Sequence, residues 1–139
     1  MKRILALLSL AALLATTAFA IDPAAVAKIA PAEAAQLVAD GKAVLVDVRE
    51  ANEWAESGVA APATLLAKSE FDEGMIGEWK HFLAGVGDKQ IILYCRSGNR
   101  SGKVAAALAE KGFKVANAGG FKEWQVAGLP TRKADEPAK

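Results

Sequence analysis

Two short runs, Ala43–Val48 and Gln90–Tyr94, are apolar almost from end to end, without alternation of polar and apolar residues. A strand exposed on one face alternates, whereas a continuous apolar run belongs to a strand covered on both faces, the habit of a parallel sheet sandwiched between helices. Helical patterns surround both runs. Pro31 opens one helix, in which Ala34, Leu37 and Val38 share a face and Gly41 ends it, although Ala30 is a weak N-cap. Glu50–Glu56 has helical character and stops at Ser57-Gly58. Phe71, Met75, Trp79 and Phe82 predict one amphipathic core-packing helix of about 15 residues. Arg100–Lys111 is an Ala-rich helix closed by Gly112, and Gly119-Gly120 leads into a short helix carrying Trp124. Phe113–Ala116 reads as a third strand, Ala60–Leu66 as holding a short one, and Val26–Ile29 as an edge strand. Strands alternating with helices at these spacings predict an α/β fold: a parallel sheet with helices on both faces.

The chain of 139 residues suits one domain, and 53% apolar residues argue against disorder. Its start has a separate character. Lys2-Arg3, an apolar stretch from Ile4 to Ala15, and small residues at Ala18 and Ala20 follow the order of a secretory signal. The competing reading is a membrane anchor, but Ile4 to Ala20 falls short of the roughly 20 residues of a comfortable span. Residues 1–20 are therefore expected to be a cleaved leader, followed by a lead-in segment at 21–27, a domain at 28–132 and a polar tail at 133–139. With no cysteine near Ala20, a lipid-modified terminus is not expected, and the Leu- and Ala-rich leader suggests a bacterial periplasm. Losing Lys2 and Arg3 takes the formal charge from +1 to −1. So balanced a chain has no electrostatic footprint for nucleic acid or for an anionic membrane.

The single cysteine cannot form an internal disulfide, so it is either buried filler or a reactive thiol. Its surroundings decide. Cys95 ends a buried strand and is followed by Arg96-Ser97-Gly98-Asn99-Arg100-Ser101-Gly102, where a helix begins about five residues later. In open α/β sheets ligands bind at this edge, beyond the carboxyl ends of the strands. So tight a turn points successive backbone N–H groups into its concavity; Gly98 allows the dihedrals this needs and Asn99 tolerates them. The helix start adds unpaired N–H groups and the positive end of its dipole. The result is an anion cradle centred on the cysteine sulfur and flanked by Arg96 and Arg100. Such surroundings lower a thiol from its usual ~8.5 into the range of activated thiolates, giving a nucleophile that needs no separate base. Cysteine phosphatases need a wider loop, with Arg six positions after Cys to clasp three phosphate oxygens; here Arg100 is fifth and Ser101 sixth. The shorter cradle suits a single sulfur atom bonded to Sγ, which counts against a phosphatase or arsenate reductase.

Cys95-Arg96-Ser97-Gly98-Asn99-Arg100-Ser101 resembles the active-site loop of the rhodanese-like sulfurtransferases, in the Cys-Arg-x-Gly-x-Arg pattern of the thiosulfate-preferring members. Val46-Asp47-Val48-Arg49-Glu50 with Glu53-Trp54 resembles the family's Asp-x-Arg motif and the helix after it. Gly119-Gly120-Phe121 with Trp124, then Ala127-Gly128-Leu129-Pro130, resembles its C-terminal signature. The resemblance implies one rhodanese-like domain with a parallel sheet of about five strands. It also implies thiosulfate sulfurtransferase activity, in which Cys95 takes the outer sulfur of a donor and passes it from a persulfide to a thiophilic acceptor: cyanide, a thiol or a thioredoxin-like protein. No metal or organic cofactor is implied. One stretch departs from the family, which commonly has His-Ile-Pro-Gly-Ala where this chain has Gly58-Val59-Ala60-Ala61-Pro62. Around Lys68–Asp72 the next loop is expected to border the mouth of the site.

The site expected from these residues has Cys95 as nucleophile, and Arg96, Ser97, Gly98, Asn99, Arg100 and Ser101 as the substrate-binding loop. Arg96 is expected to face the donor's sulfonate oxygens, while Arg100 either meets substrate or fixes the loop through a carboxylate or carbonyl. Asp47 and Arg49 are expected to form a structural ion pair bracing the loop, and Ser101 to cap its helix. His81 lies far from Cys95 in sequence and is assigned no catalytic part. A persulfide carrier or oxidant sensor with little turnover is the alternative function.

Overall fold

The computed structural model describes residues 21–139; the expected leader falls on residues 1–20 and lies outside the described residues. After a 3-10 turn at Pro23–Ala25, the elements are α1 (Pro31–Ala39), β1 (Ala43–Asp47), α2 (Ala51–Ser57), β2 (Val59–Ala60), β3 (Thr64–Leu65), α3 (Lys68–Asp72) and α4 (Glu78–Gly85). They continue with β4 (Gln90–Cys95), α5 (Asn99–Glu110), β5 (Val115–Gly120), α6 (Phe121–Val126) and β6 (Thr131–Arg132). Four strands form a parallel sheet in the order β3-β1-β4-β5, and β2 pairs antiparallel with β6 beside it.

The sheet therefore has four strands where about five were expected. The segment expected as an edge strand at Val26–Ile29 makes one bridge, Lys28 to Asn117. It is confined between the turn that ends at Ala25 and the helix that Pro31 opens, which leaves no length for a ladder.

Alternate residues of the central strands face two separate cores. Val46, Ile91, Leu93 and Cys95 pack with Val104 and Leu108 of α5 and with Leu66 and Trp79. Leu45, Ile92 and Tyr94 pack on the other side with Ala34 of α1 and with Phe121 and Trp124 of α6. Both faces are thus dry, which is why the two runs carry no polar alternation; each large side chain buried there contributes roughly 1.5–3 kcal/mol.

Three element boundaries differ from the expectation. Instead of one helix over Phe71–Phe82 there are two, α3 and α4, because Gly74, Met75 and Gly77 take positive φ between them. The aromatic residues still meet: Phe71 and Phe82 pack edge-on against Trp79, and the Trp79 indole N–H donates to Ala67 O at 2.8 Å. Ala60–Leu66 is split between β2 and β3, which belong to different sheets. The guanidinium of Arg132 fixes the intervening turn, donating to Ala61 O and Ala63 O at 3.0 and 2.7 Å. Finally, β5 runs on to Gly120 beside the end of β4. Its register slips after the Leu93–Asn117 pair, so that Cys95 pairs with Gly120 across a bulge at Ala118-Gly119.

Candidate active site

Cys95 is the last residue of β4, and α5 starts at Asn99, so the chain reverses from strand to helix through Arg96, Ser97 and Gly98. Gly98 makes that reversal with φ 91°, and a β-carbon there would lie 3.2 Å from Gly119 Cα. Gly120 has no room for a side chain either, because a β-carbon would overlap the Arg96 carbonyl oxygen. The loop is thus seated directly on the bulged backbone of β5.

The Cys95 side chain has no exposed surface, yet it faces donors. Gly98 N–H donates to Sγ at 3.0 Å, and the Ser101 hydroxyl lies 3.4 Å from it. Burial pushes the Cys95 thiol up, but hydrogen bonds from the Ser101 hydroxyl and from the N–H groups of Ser101, Ser97 and Gly98 outweigh it, and the thiol is held below its ordinary value. Among the described residues no group of three or more His, Cys, Asp or Glu side chains is placed to hold a metal ion.

The other candidate residues fall into three places. Arg96, Ser97 and Asn99 are exposed on the crest of the loop, and Arg96 carries no ion pair among the described residues. Arg100 turns to α2, where its two terminal nitrogens donate to the Glu53 carboxylate at 2.7 and 2.8 Å. That pairing holds Glu53 down at about 2 and raises Arg100 above its already high value. Glu53 also accepts the Glu50 N–H at 2.9 Å, so one carboxylate closes the first turn of α2 and grips the Cys95 loop.

Asp47 and Arg49 form a buried ion pair on the face of the sheet opposite Cys95. Arg49 Nε and Nη2 donate to Asp47, Nη1 donates to Ser57 Oγ at 2.7 Å, and Nη2 also reaches Gly58 O at 2.9 Å. Its guanidinium stacks 4.5 Å from the Phe121 ring centre. The pair ties the end of β1 to the turn after α2 and makes no bond to the Cys95 loop. Burial and the Asp47 charge push the Tyr94 phenol up, so it stays protonated beside this pair, where its oxygen accepts the Ala60 N–H at 3.0 Å. Ser101 is the third residue of α5, not its cap; the N-cap position belongs to Gly98. His81 is exposed on α4.

The rhodanese-like domain family matches residues 30–127 of this chain. The chain belongs to the rhodanese-like family. A Bacillus subtilis protein named as a candidate sulfurtransferase, YtwF, is 36% identical over 91 residues, which cover 65% of this chain and 81% of that protein. The thiosulfate sulfurtransferase GlpE of Actinobacillus succinogenes is 33% identical over 109 residues, covering 77% of this chain and 91% of GlpE. These relatives support a sulfurtransferase role for this rhodanese-like chain. Among solved structures, a Rhodopseudomonas palustris protein of unknown function, described as a possible tyrosine phosphatase, superposes with a TM-score of 0.65 at 26% identity, covering 78% of this chain and 86% of its own. In the present rhodanese-like loop, Arg100 is the fifth residue after Cys95 and is engaged by Glu53, so no clasp for three phosphate oxygens is formed from it.

Two residues that hold this site went unrecognised in the sequence. Asn117 bonds to Gly98, Ser101 and Gly119, and its signal was hidden because the third strand was expected to stop at Ala116. Glu53 was visible as part of the motif before Trp54, but its partner stands 47 positions away.

Proposed function

We propose that this protein is a thiosulfate sulfurtransferase working through a persulfide on Cys95. The Cys95 thiolate attacks the outer sulfur of thiosulfate; the new S–S bond forms as the old one breaks, and sulfite leaves with the bonding electron pair. The persulfide anion Cys95–S–S⁻ then meets a thiophilic acceptor. Cyanide, a small thiolate or the thiolate of a thioredoxin-like protein attacks the outer sulfur and returns Cys95 as a thiolate. The observation that carries this reading is the Cys95 Sγ facing N–H and O–H donors at the mouth of a strand-to-helix turn, with its acidity raised against the effect of burial. Backbone donors of this kind stabilise a sulfur anion in both the free and the loaded state without a metal or organic cofactor. Arg96, exposed on the crest, supplies positive charge where the dianionic donor arrives.

Intact-mass spectrometry after thiosulfate, then after cyanide, tests this directly. The mass is expected to rise by one sulfur and then fall back, and Cys95→Ser is expected to abolish both changes and all thiosulfate:cyanide turnover. Full turnover by Cys95→Ser would overturn the assignment. The full burial of Cys95 favours a second reading, a persulfide carrier or oxidant sensor with little turnover, since Sγ offers no exposed surface to an acceptor. Stoichiometric loading without turnover would select it.

Export to a bacterial periplasm is part of the same proposal, resting on the leader pattern at residues 1–20. The protein recovered from that compartment is expected to begin at Ile21.

A further inference from the structure

Asn117 sits on β5 opposite Leu93, buried, on the strand that neighbours the Cys95 strand. Its Oδ1 accepts the Ser101 hydroxyl at 2.8 Å and the Gly119 N–H at 3.0 Å, and its Nδ2 donates to Gly98 O at 2.8 Å. Only this orientation of the amide satisfies all three partners, because a flip would set donor against donor at Gly119 and acceptor against acceptor at Gly98. Gly98 and Ser101 supply the N–H and the hydroxyl that stand 3.0 and 3.4 Å from Sγ. One planar side chain on another strand therefore holds both. It is held in turn: Asn117 N–H donates to Ala27 O at 2.9 Å, and its carbonyl accepts the Ile29 N–H at 3.0 Å.

The Ser101 hydroxyl has one proton and two acceptors within reach, Asn117 Oδ1 and Cys95 Sγ. Beside a neutral thiol the hydroxyl donates to Oδ1, and the S–H can donate to Ser101 Oγ. Beside a thiolate or persulfide the better acceptor is the sulfur anion, so the hydroxyl turns to Sγ while Oδ1 keeps the Gly119 N–H. Asn117 is left with one satisfied bond at Oδ1 in the second state and two in the first. It thereby sets how readily the hydroxyl changes partner.

We propose that Asn117 is a positioning residue for the sulfur chemistry, fixing Gly98 and Ser101 around Sγ and holding the Ser101 proton until the sulfur becomes charged. This rests on the reading of Cys95 as the sulfur carrier, but its tests need no sulfur transfer. The core neighbours of Cys95 from β1, α4 and α5 include Val46, Trp79 and Val104, all apolar, and Asp47 and Arg49 lie across the sheet. The charged groups of the loop are Arg96 and Arg100, with Glu53 bound to Arg100 and ionised above about 2; Asp22, Lys28, Lys103 and Glu123 line the cavity that Asn117 also lines, and Glu123 accepts the Gly120 N–H at 3.1 Å.

The test is an NMR pH titration of the Asn117 side-chain amide, set against the pH dependence of Cys95 alkylation by iodoacetamide. In the wild-type protein the Asn117 Nδ2 resonances are expected to move with the alkylation midpoint, and Ser101→Ala is expected to remove most of that movement. An Asn117 amide that stays flat, or moves undiminished in Ser101→Ala, would overturn the proposal. As a second measurement, Asn117→Asp places a carboxylate that grips the Ser101 proton, opposes a sulfur anion and lacks the donor to Gly98 O. Its alkylation midpoint is expected to rise by about one pH unit, a tenfold slower reaction below both midpoints. An unchanged midpoint in a cooperatively folding Asn117→Asp protein would also overturn it. Loss of sulfur loading with these responses intact would instead count against the sulfurtransferase reading.

Discussion

Arg100 of the Cys95 loop is clamped by Glu53 of α2 through two hydrogen bonds, 2.7 and 2.8 Å long, that close a fork against a carboxylate. Of the two roles open to Arg100 in the sequence, this geometry serves the fixing of the loop. A planar fork bonded at both terminal nitrogens gives orientation as well as charge, and a lysine in its place would keep only the charge.

The Glu53 clamp makes stability depend on acid. Glu53 titrates at about 2 in the folded protein against an ordinary 4.5. As pH falls the unfolded chain takes up this proton first, so the contribution is complete above about pH 4.5 and is lost on the way down to about pH 2. After allowance for solvent screening of this partly exposed pair, it is worth about 1–2 kcal/mol. Urea unfolding at a series of pH values is expected to show a shallower loss in this window for Glu53→Gln than for the wild type; parallel curves would contradict it.

Arg96 is the exposed cation of the crest. Arg96→Ala is expected to raise KM for thiosulfate about fivefold or more, the loss of a charge-assisted contact to the donor. The rate at which a neutral reagent alkylates Cys95 is expected to stay at its wild-type value, since the sulfur's charge is held by the N–H and O–H donors. Steady-state kinetics checks this, and an unchanged KM would remove Arg96 from donor binding.

Asp47→Asn would leave the Arg49 cation buried with its charge uncompensated. A loss of about 3 kcal/mol is expected, read from the urea midpoint. The alkylation midpoint of Cys95 is expected to stay in place, because this pair lies on the opposite face of the sheet and bonds to Ser57 and Gly58 instead of to the loop.

The outline of the fold was legible because burial on both faces leaves a direct mark: β1 and β4 are apolar runs, and the strand-to-helix turn after Cys95 carries Gly and Asn where the backbone needs them. Less local facts were not. The break between α3 and α4 depends on positive φ at Gly74, Met75 and Gly77, while the spacing of Phe71, Trp79 and Phe82 still satisfied a single helix. Arg132, 8% exposed, holds the turn at Ala61–Ala63 from 69 or more positions away, and nothing in its own neighbourhood in sequence announces this. The extension of β5 to Gly120 was hidden by two glycines that read as the lead-in to a helix but serve as the bulged seat of the loop. At the site, the cysteine and its cradle were visible as a contiguous segment; the partners of Arg100 and Ser101 were not, since each comes from a different element.

The glycine at position 120 carries a consequence for how this scaffold can be retuned. With the Arg96 carbonyl resting on it, the floor of the cradle tolerates no added atom, and Gly98 and Ser101 are tied to the same strand. Side chains at the three outward positions, Arg96, Ser97 and Asn99, are exposed and meet no such limit, so substitution there leaves the backbone beneath the sulfur as it is.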